Sequence, residues 1–313
     1  MKLLVTGNLG FIAQTFVHMY KDKHEIIGID ARRYASDDNA LTLCNTVNGD
    51  ISNPLDLDTL FNNFGPFDVI VHMAAESHVD NSIKSPRPFI NTNIVGTFEL
   101  LEKMRQNGAK KFVLISTDEI FGDLMPNDPP FSNLHQLKPS SPYSASKASA
   151  DLLALAYKRT YGLDVVITRG CNTYGKFQYY EKLLPVIISN AINDRPIPIY
   201  GTGLNQREWI FSEDHCRGIM AALEKGKSGS IYNLGSSIEL TNLDMVKKIL
   251  DIMGKPHSLI KFVEDRKGHD FRYFMDSSLA HEELGWKAKV PLEEGLKTTI
   301  DWYIQNPNYW STK

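Results

Sequence analysis

Apolar runs alternate with segments of helical periodicity through the first part of the chain. Each run is short, rich in Val, Ile and Leu, and ends at a small or polar residue. The runs that we predict as strands are Lys2–Val5, Glu25–Ile29, Val69–Met73, Phe112–Ile115 and Val165–Thr168. Helical patterns lie between them, for example over Pro88–Asn107 and Pro142–Tyr161. This alternation indicates right-handed crossovers and a parallel sheet with helices on both faces.

Beyond about residue 175 the segments become shorter and Gly and Pro become denser, as at Pro196, Pro198, Gly201 and Gly203. This change favours a smaller mixed lobe, interleaved with late strands of the first domain. We therefore predict an α/β fold with a Rossmann-type doubly wound parallel sheet over residues 1–170 plus about 210–236. Residues 171–209 and 237–313 would form a smaller mixed α/β C-terminal substrate-binding lobe.

Composition narrows the function classes. The chain has 313 residues and a formal net charge of −3, which gives no electrostatic footprint for nucleic acid. No apolar stretch reaches the roughly 18 residues that span a bilayer, so we expect no membrane contact. The three cysteines, Cys44, Cys171 and Cys216, form no metal or disulfide spacing. Free thiols and an N-terminus without a signal-peptide pattern predict a cytoplasmic protein with no bound metal.

A glycine-rich turn follows the first predicted strand over Thr6–Ala13. Gly7 allows a tight turn, Gly10 lets the backbone approach a pyrophosphate, and Ala13 permits close packing of helix on strand. The following helix offers free N–H groups and a partial positive charge to that pyrophosphate. The predicted contacts of the turn with a dinucleotide are Gly7, Leu9, Gly10, Phe11 and Ile12.

An acidic residue, Asp30, stands at the end of the second strand, where it can accept hydrogen bonds from the adenosine ribose. A carboxylate there favours NAD over NADP, although Arg32 and Arg33 follow it, and Arg32 is included among the predicted contacts. Asp50 and Ile51 are placed to cap the adenine edge, while a turn or helix-capping role for Asp50 is nearly as good an interpretation. Ala74 and Ala75 end the third strand and complete the predicted cofactor wall.

Tyr143 and Lys147 lie four residues apart at the start of a helical segment, hence on one helix face. A nearby cation favours the phenolate, so we expect Lys147 to lower the pKa of Tyr143. Such a tyrosine can take a proton from a sugar hydroxyl while hydride leaves the same carbon. The glycine turn, Asp30 and this pair resemble the extended short-chain dehydrogenase/reductase family. In that family the Ser or Thr at the fourth strand end, here Thr117, binds the reacting hydroxyl.

Asp118 and Glu119 directly follow Thr117. Two adjacent carboxylates have their pKa values pushed apart, so one can serve as acid and the other as base. Removal of water from a hexose whose C4 has become a ketone needs both an acid and a base. The simpler interpretation is that one acid caps the following turn.

The likeness extends to Ala74–Asp80, Asn93–Thr97, Ser140–Lys147, Glu181–Leu183, Gly201–Trp209 and Asp265–Asp270. Over nearly the whole chain these segments resemble the nucleotide-sugar 4,6-dehydratases, with dTDP-glucose 4,6-dehydratases among the most similar members. The resemblance implies bound NAD, Asp118 as acid toward the C6 hydroxyl, Glu119 as base at C5, and Asn93 near the cofactor. It also implies a set of substrate-binding residues: Ser77, His78, Asn172, Glu181, Lys182, Arg207, Asn242, Arg266 and His269. Surface-glycan deoxysugars are the destination it suggests.

Three positions depart from the family pattern: Asn81 replaces a common Arg, Phe121 a Tyr, and Tyr180 a Pro. The stretches 31–48 and 123–138 are also shorter than usual. All lie where sugar or nucleotide contacts are expected. The substrate therefore stays open between dTDP- and UDP-activated hexoses, between a C2 hydroxyl and an acetamido group, and between retention and inversion at C5.

Two rivals remain. A 4-epimerase of the same fold needs no acid pair after Thr117, and a decarboxylase needs no acid such as Asp118 for the C6 hydroxyl. A non-catalytic NAD-sensing scaffold has little need for Tyr143, Lys147 and the acid pair together. The helices over 87–106 and 143–161 resemble a four-helix dimer interface, so a homodimer is predicted, although Leu152, Leu153 and Leu155 fit a core equally well.

Overall fold

A computed structural model describes residues 1–266 and 268–311. Its strands are β1 (Lys2–Thr6), β2 (Glu25–Asp30), β3 (Asn45–Asn48), β4 (Val69–His72), β5 (Lys111–Thr117), β6 (Val165–Gly170), β7 (Asn172–Tyr174), β8 (Ile197–Tyr200), β9 (Gln206–Phe211), β10 (Ile231–Leu234), β11 (Glu239–Thr241) and β12 (Ile260–Val263). Its α-helices are α1 (Phe11–Tyr20), α2 (Pro54–Phe64), α3 (Val79–Lys84), α4 (Arg87–Phe89), α5 (Gly96–Asn107), α6 (Pro142–Tyr161), α7 (Leu183–Ile192), α8 (Ser212–Lys225), α9 (Asn242–Met253), α10 (Leu292–Gln305) and α11 (Asn308–Ser311). Lys267, inside the segment Asp265–Asp270, lies outside the described residues.

The main sheet has seven parallel strands in the order β10-β6-β5-β4-β1-β2-β3. The order reverses beside β1, which creates the crevice where doubly wound folds bind ligands. The predicted α/β class and the predicted strands are confirmed. β5 is longer than expected, so Thr117 is its last residue and pairs with Gly170 at the end of β6.

Alternation along the strands explains why helices cover both faces. Leu3 and Val5 point into one apolar layer with α1 and α8, and Leu4 points into the other with α2, α5 and α6. All three leucine and valine side chains are fully buried. Both faces of the sheet are therefore shielded from water, and polar ligands can reach only the ends of its strands.

The later part of the chain builds a second region. β7, β9 and β11 form a small mixed sheet, and β8 pairs with β12. A third apolar cluster, which includes Ile187 from α7 and Ile249 from α9, packs there. β10 returns to the main sheet beside β6. The division of the chain at residues 170, 210 and 236 stays a prediction.

The segment predicted as one helix over Pro88–Asn107 is interrupted. Ile90–Val95 forms a wider π-helical turn between α4 and α5. In this turn Asn93 binds residues outside the helix: its Oδ1 accepts from the N–H of Glu76, and its Nδ2 donates to the Glu76 carbonyl and to Ser146. Wide turns of this kind often mark functional sites. Among the described residues, no helix is both long and apolar enough to cross a bilayer.

Candidate active site

The glycine turn lies between β1 and α1 at the end of the main sheet. Gly7 has a φ of +69°, and a Cβ there would stand 2.7 Å from the Cα of Ala74, so only glycine fits. The N–H of Leu9 donates to the Asp30 carboxylate at 3.1 Å, which ties the turn to the end of β2. Gly10 precedes α1, whose first N–H groups have no partner within the helix. The turn is therefore shaped for a pyrophosphate.

Asp30 is buried, and one of its oxygens accepts from Ser36 and from the N–H of Arg32. Arg32 itself has a φ of +50°, and its side chain forms an exposed ion pair with Asp38. The structure therefore does not bring Arg32 to the main cavity. Arg33 lines the cavity instead and binds Asp50 at 2.8 Å and Glu76 at 2.6 Å. The positive φ at Arg32 separates the two guanidinium groups.

One cavity of about 360 Å³ extends from the glycine turn to the ends of β5 and β6. It holds most of the residues that the sequence singled out. Those that line it are Gly7, Gly10, Phe11, Ile12, Asp30, Asp50, Ile51, Ala74, Ala75, Ser77, Thr117, Asp118, Glu119, Tyr143, Lys147, Asn172, Glu181 and Lys182. Leu9 and Asn93 lie behind this wall, and both hold it in place through hydrogen bonds. A dinucleotide fits the space between the glycine turn and Ala74. A side chain at position 7 would fill that space.

Tyr143 and Lys147 stand in the first turns of α6, which Ser141 caps and Pro142 begins. The Lys147 ammonium donates to the Ile115 carbonyl at 2.7 Å. Burial lowers the pKa of Lys147 to about 8, against the opposing charge of Asp151. Burial raises the pKa of Tyr143, and the carboxylate of Glu119 adds to the rise. The expected net lowering of the Tyr143 pKa is therefore wrong, because burial dominates and a nearby ammonium can offset only part of the rise.

Asp118 and Glu119 occupy a short 3₁₀ turn that begins directly after β5. Thr117 caps this turn, and its hydroxyl donates to Oδ1 of Asp118 at 3.1 Å. Burial, and then the charge of Glu119, raise the pKa of Asp118 well above its usual range. Burial also raises the pKa of Glu119, but the cations Lys182, Arg207 and Arg266 oppose that rise. The surroundings thus favour a protonated Asp118 beside a more readily ionised Glu119.

The predicted cations of the substrate lobe gather near Glu119. The Nζ atom of Lys182 donates to the Ser77 carbonyl, and Arg207 lies 4.3 Å from the ring centre of Tyr273. Arg266 stacks on Tyr200 at 4.8 Å, and its Nε atom is buried without a hydrogen-bond partner among the described residues. A cluster of guanidinium groups beside the cavity suits a diphosphate.

The remaining predicted substrate residues lie outside the cavity wall. His78 caps α3 by accepting from the N–H of Asn81. His269 binds Asp265 at 2.6 Å. Asn242 begins α9, and its side-chain Oδ1 atom is buried with no partner in the described part of the chain. None of the three lines the cavity that contains the acid pair.

Several cavity residues escaped the sequence prediction: Tyr34, Ser36, Glu76, Cys171, Thr173, Gln178, Tyr179 and His215. Glu76 follows Ala74 and Ala75 directly, so its position after the third strand was a usable signal. His215 gave no such signal, because it enters from α8, far along the chain. In the described residues no group of three or more His, Cys, Asp or Glu side chains is placed to hold a metal ion.

The chain resembles known proteins over nearly its whole length. The family model described as GDP-mannose 4,6 dehydratase matches residues 4–299. The chain is 41% identical to the dTDP-glucose 4,6-dehydratase of Haemophilus influenzae, covering 98% of both chains. It is 42% identical to that of Streptomyces antibioticus, covering 99% of this chain and 94% of the relative. Among solved structures, DesIV, a dTDP-glucose 4,6-dehydratase from Streptomyces venezuelae with NAD bound, superposes with a TM-score of 0.94 at 41% identity over 99% of each chain.

Proposed function

This chain belongs to the family described as GDP-mannose 4,6 dehydratase, and from that premise we propose that it is an NAD-dependent dTDP-glucose 4,6-dehydratase. It is a nucleotide-sugar lyase of deoxysugar biosynthesis. The observation that carries the proposal is the acid pair Asp118 and Glu119 in the same cavity as Tyr143 and Lys147. The identity to dTDP-glucose enzymes, at 41% over nearly the full length, supports the choice of nucleotide and sugar.

The residues divide the reaction into two kinds of work. Tyr143 takes the proton of the C4 hydroxyl, Thr117 orients that hydroxyl, and Lys147 stabilises the phenolate. When bound, NAD supplies a hydride acceptor for C4 and later the hydride donor for C6. Between these events Glu119 removes the acidified C5 proton, and Asp118 protonates the departing C6 hydroxyl. Water is lost, C4 is oxidised and C6 is reduced, so no external reductant is consumed.

The cation cluster supplies the substrate site of the proposal. Lys182, Arg207 and Arg266 bind the diphosphate, with Asn242 and His269 at the rim and Ser77, His78, Asn172 and Glu181 toward the sugar. Arginine suits a phosphate because its planar fork donates two parallel hydrogen bonds. Asp30 binds the adenosine ribose at the opposite end of the cavity, which supports NAD over NADP.

The decisive experiment is incubation of the protein with dTDP-glucose, UDP-glucose and UDP-N-acetylglucosamine separately, with products analysed by NMR. We expect a 4-keto-6-deoxy sugar from dTDP-glucose without added reductant. The same spectra report the C5 configuration. A simple C4 epimer or a decarboxylated sugar would contradict the proposal, and retention of the biological role by both Tyr143→Phe and Glu119→Gln would favour a non-catalytic scaffold.

We also propose a cytoplasmic homodimer. The cysteines are free, as suits a reducing compartment. The segment over α4–α5 and helix α6 expose apolar side chains, including Val95, Phe98 and Leu152, which is 59% exposed. Exposed apolar side chains gathered on neighbouring helices support an interface between two copies.

A further inference from the structure

A buried histidine, His215, lies near the start of α8 and takes no part in the proposed reaction steps. His215 is only 1% exposed, and its ring lines the cavity beside Gly170 and Cys171. A Cβ at position 170 would stand 2.6 Å from the His215 Nε2 atom, so the glycine leaves room for this ring. Nε2 is buried and has no hydrogen-bond partner among the described residues.

Hydrogen bonds to Thr173 fix which ring nitrogen carries the proton. The Thr173 hydroxyl has one proton, and it donates to the Cys171 carbonyl at 3.1 Å. The same oxygen lies 2.8 Å from Nδ1 of His215. Both hydrogen bonds can exist only if Nδ1–H donates to the threonine oxygen. Nε2 of the neutral ring is then a bare acceptor.

A second acceptor belongs to a side chain that is tied to the same threonine. The Nε2 atom of Gln178 donates to the Thr173 carbonyl at 3.0 Å, which fixes the orientation of the amide group. Its Oε1 atom is buried, and the described residues offer it no hydrogen-bond partner. Gln178 also lines the cavity. Buried polar atoms without partners are costly, so two acceptors tied to one threonine point to a ligand that donates.

These acceptors lie at the redox end of the cavity. Gly170 pairs with Thr117 across β6 and β5, and Thr117 lies beside Tyr143. Asp30 ends β2 and the glycine turn follows β1, so the strand order β6-β5-β4-β1-β2 places the turn between Gly170 and Asp30. A dinucleotide whose ribose meets Asp30 and whose pyrophosphate meets Gly7 therefore brings its nicotinamide to Gly170 and His215. The nicotinamide carries a primary amide, whose N–H groups are donors.

We propose that His215 is a cofactor-binding residue whose Nε2 atom accepts a hydrogen bond from the nicotinamide carboxamide, with Gln178 as the neighbouring acceptor. This inference rests on the proposed use of NAD. Burial lowers the pKa of His215 to about 4, so the acceptor persists at neutral pH. This hydrogen bond fixes which face of the nicotinamide ring is turned toward the sugar. The same face must be presented when hydride leaves C4 and when it returns to C6.

The test compares NAD with 3-acetylpyridine adenine dinucleotide, in which a methyl group replaces the amide nitrogen and both N–H donors are lost. Apo protein is titrated with each dinucleotide, and the ratio of the two Kd values is measured for the wild type and for His215→Phe. We expect the wild type to favour NAD by about fivefold more than the variant does, the value of one neutral hydrogen bond. His215→Gln, which restores an acceptor, should regain part of that preference.

Two further variants keep the test independent of folding. Thr173→Val preserves the ring but removes the group that fixes its tautomer, so the preference should shrink. Cys216→Ala alters a buried neighbour in α8 that does not line the cavity, and the ratio should stay at the wild-type value. An equal ratio in wild type, His215→Phe and Thr173→Val would overturn the inference while leaving the proposed function intact. Failure of the wild type to bind either dinucleotide would overturn the proposed function itself.

Discussion

At the scale of single residues, Asp118 combines deep burial with an oxygen atom, Oδ2, that has no partner among the described residues. A carboxylate in that position would be costly, and burial raises the pKa of Asp118, which favours the protonated form. A protonated carboxyl can donate to a leaving hydroxyl. Three cations near Glu119 favour its ionised form, which is the form that the proposed base requires.

The first prediction concerns a variant without the carboxyl group of Asp118. Asp118→Asn should slow loss of water by about 10²–10⁴-fold, because the amide cannot deliver the proton that the C6 hydroxyl needs. Oxidation at C4 does not require this group, so absorbance of the reduced nicotinamide should accumulate on addition of dTDP-glucose. Asp22→Asn, in an exposed turn, is the matched control and should behave as wild type. Equal slowing of C4 oxidation and water loss would contradict the assigned role.

Lys147 carries a second prediction, on pH. Burial lowers its pKa to about 8, below the value of about 10.4 for a free lysine. The ammonium is therefore present below pH 8 and is lost as the pH rises through that value. In the proposed reaction the ammonium offsets part of the cost of forming the buried Tyr143 phenolate, so C4 oxidation should decline on the alkaline side. The pH–rate profile of Lys147→Arg should lose this decline, because arginine stays charged; an unchanged alkaline limb would refute the assignment.

At the scale of elements, the wide turn over Ile90–Val95 connects the cofactor wall to α6. Asn93 is 1% exposed and joins the Glu76 backbone to Ser146, while Glu76 binds Arg33. Asn93→Ala should lower the free energy of unfolding by about 1–3 kcal/mol, because buried partners are left unsatisfied. It should also weaken NAD binding. Thermal unfolding and NAD titration measure both effects, and the exposed Asn91→Ala in the same turn should leave both unchanged.

The same turn is a feature that local sequence patterns could not predict. Strands and helices were predictable because their apolar periodicity is local, and Pro142–Tyr161 coincides with the structural helix. The wide turn was not predictable, since its cause is the side chain of Asn93 meeting Glu76 and Ser146 from other elements. Arg32 and Arg33 differ for a similar reason: a positive φ, which the sequence does not reveal, decides which one faces the cavity. His215 likewise reaches the site only through the packing of α8.

At the scale of the whole molecule, the two helical segments beside β4 and β5 leave apolar side chains in solvent. Phe98 is 40% exposed on α5, and Leu152 is 59% exposed on α6. The two helices pack against each other, so these side chains belong to one side of the sheet. A second copy of the chain would remove them from water, and each buried large apolar side chain stabilises an interface by about 1.5–3 kcal/mol.

The last prediction tests that assembly. The wild type should have twice the 35.4 kDa mass of the chain when measured by light scattering. The double variant Phe98→Asp, Leu152→Asp should have the single-chain mass, because burying two like charges without a cation costs more than the apolar contacts return. Leu134→Arg is the matched control, since Leu134 is 85% exposed in the segment between β5 and α6 and should leave the mass doubled. A wild type of single-chain mass would refute the dimer, and dissociation by Leu134→Arg would place the interface elsewhere.

Because the cavity of one chain contains Asp118, Glu119, Tyr143 and Lys147 together, the monomeric variant should still bind NAD, which separates loss of assembly from loss of the site.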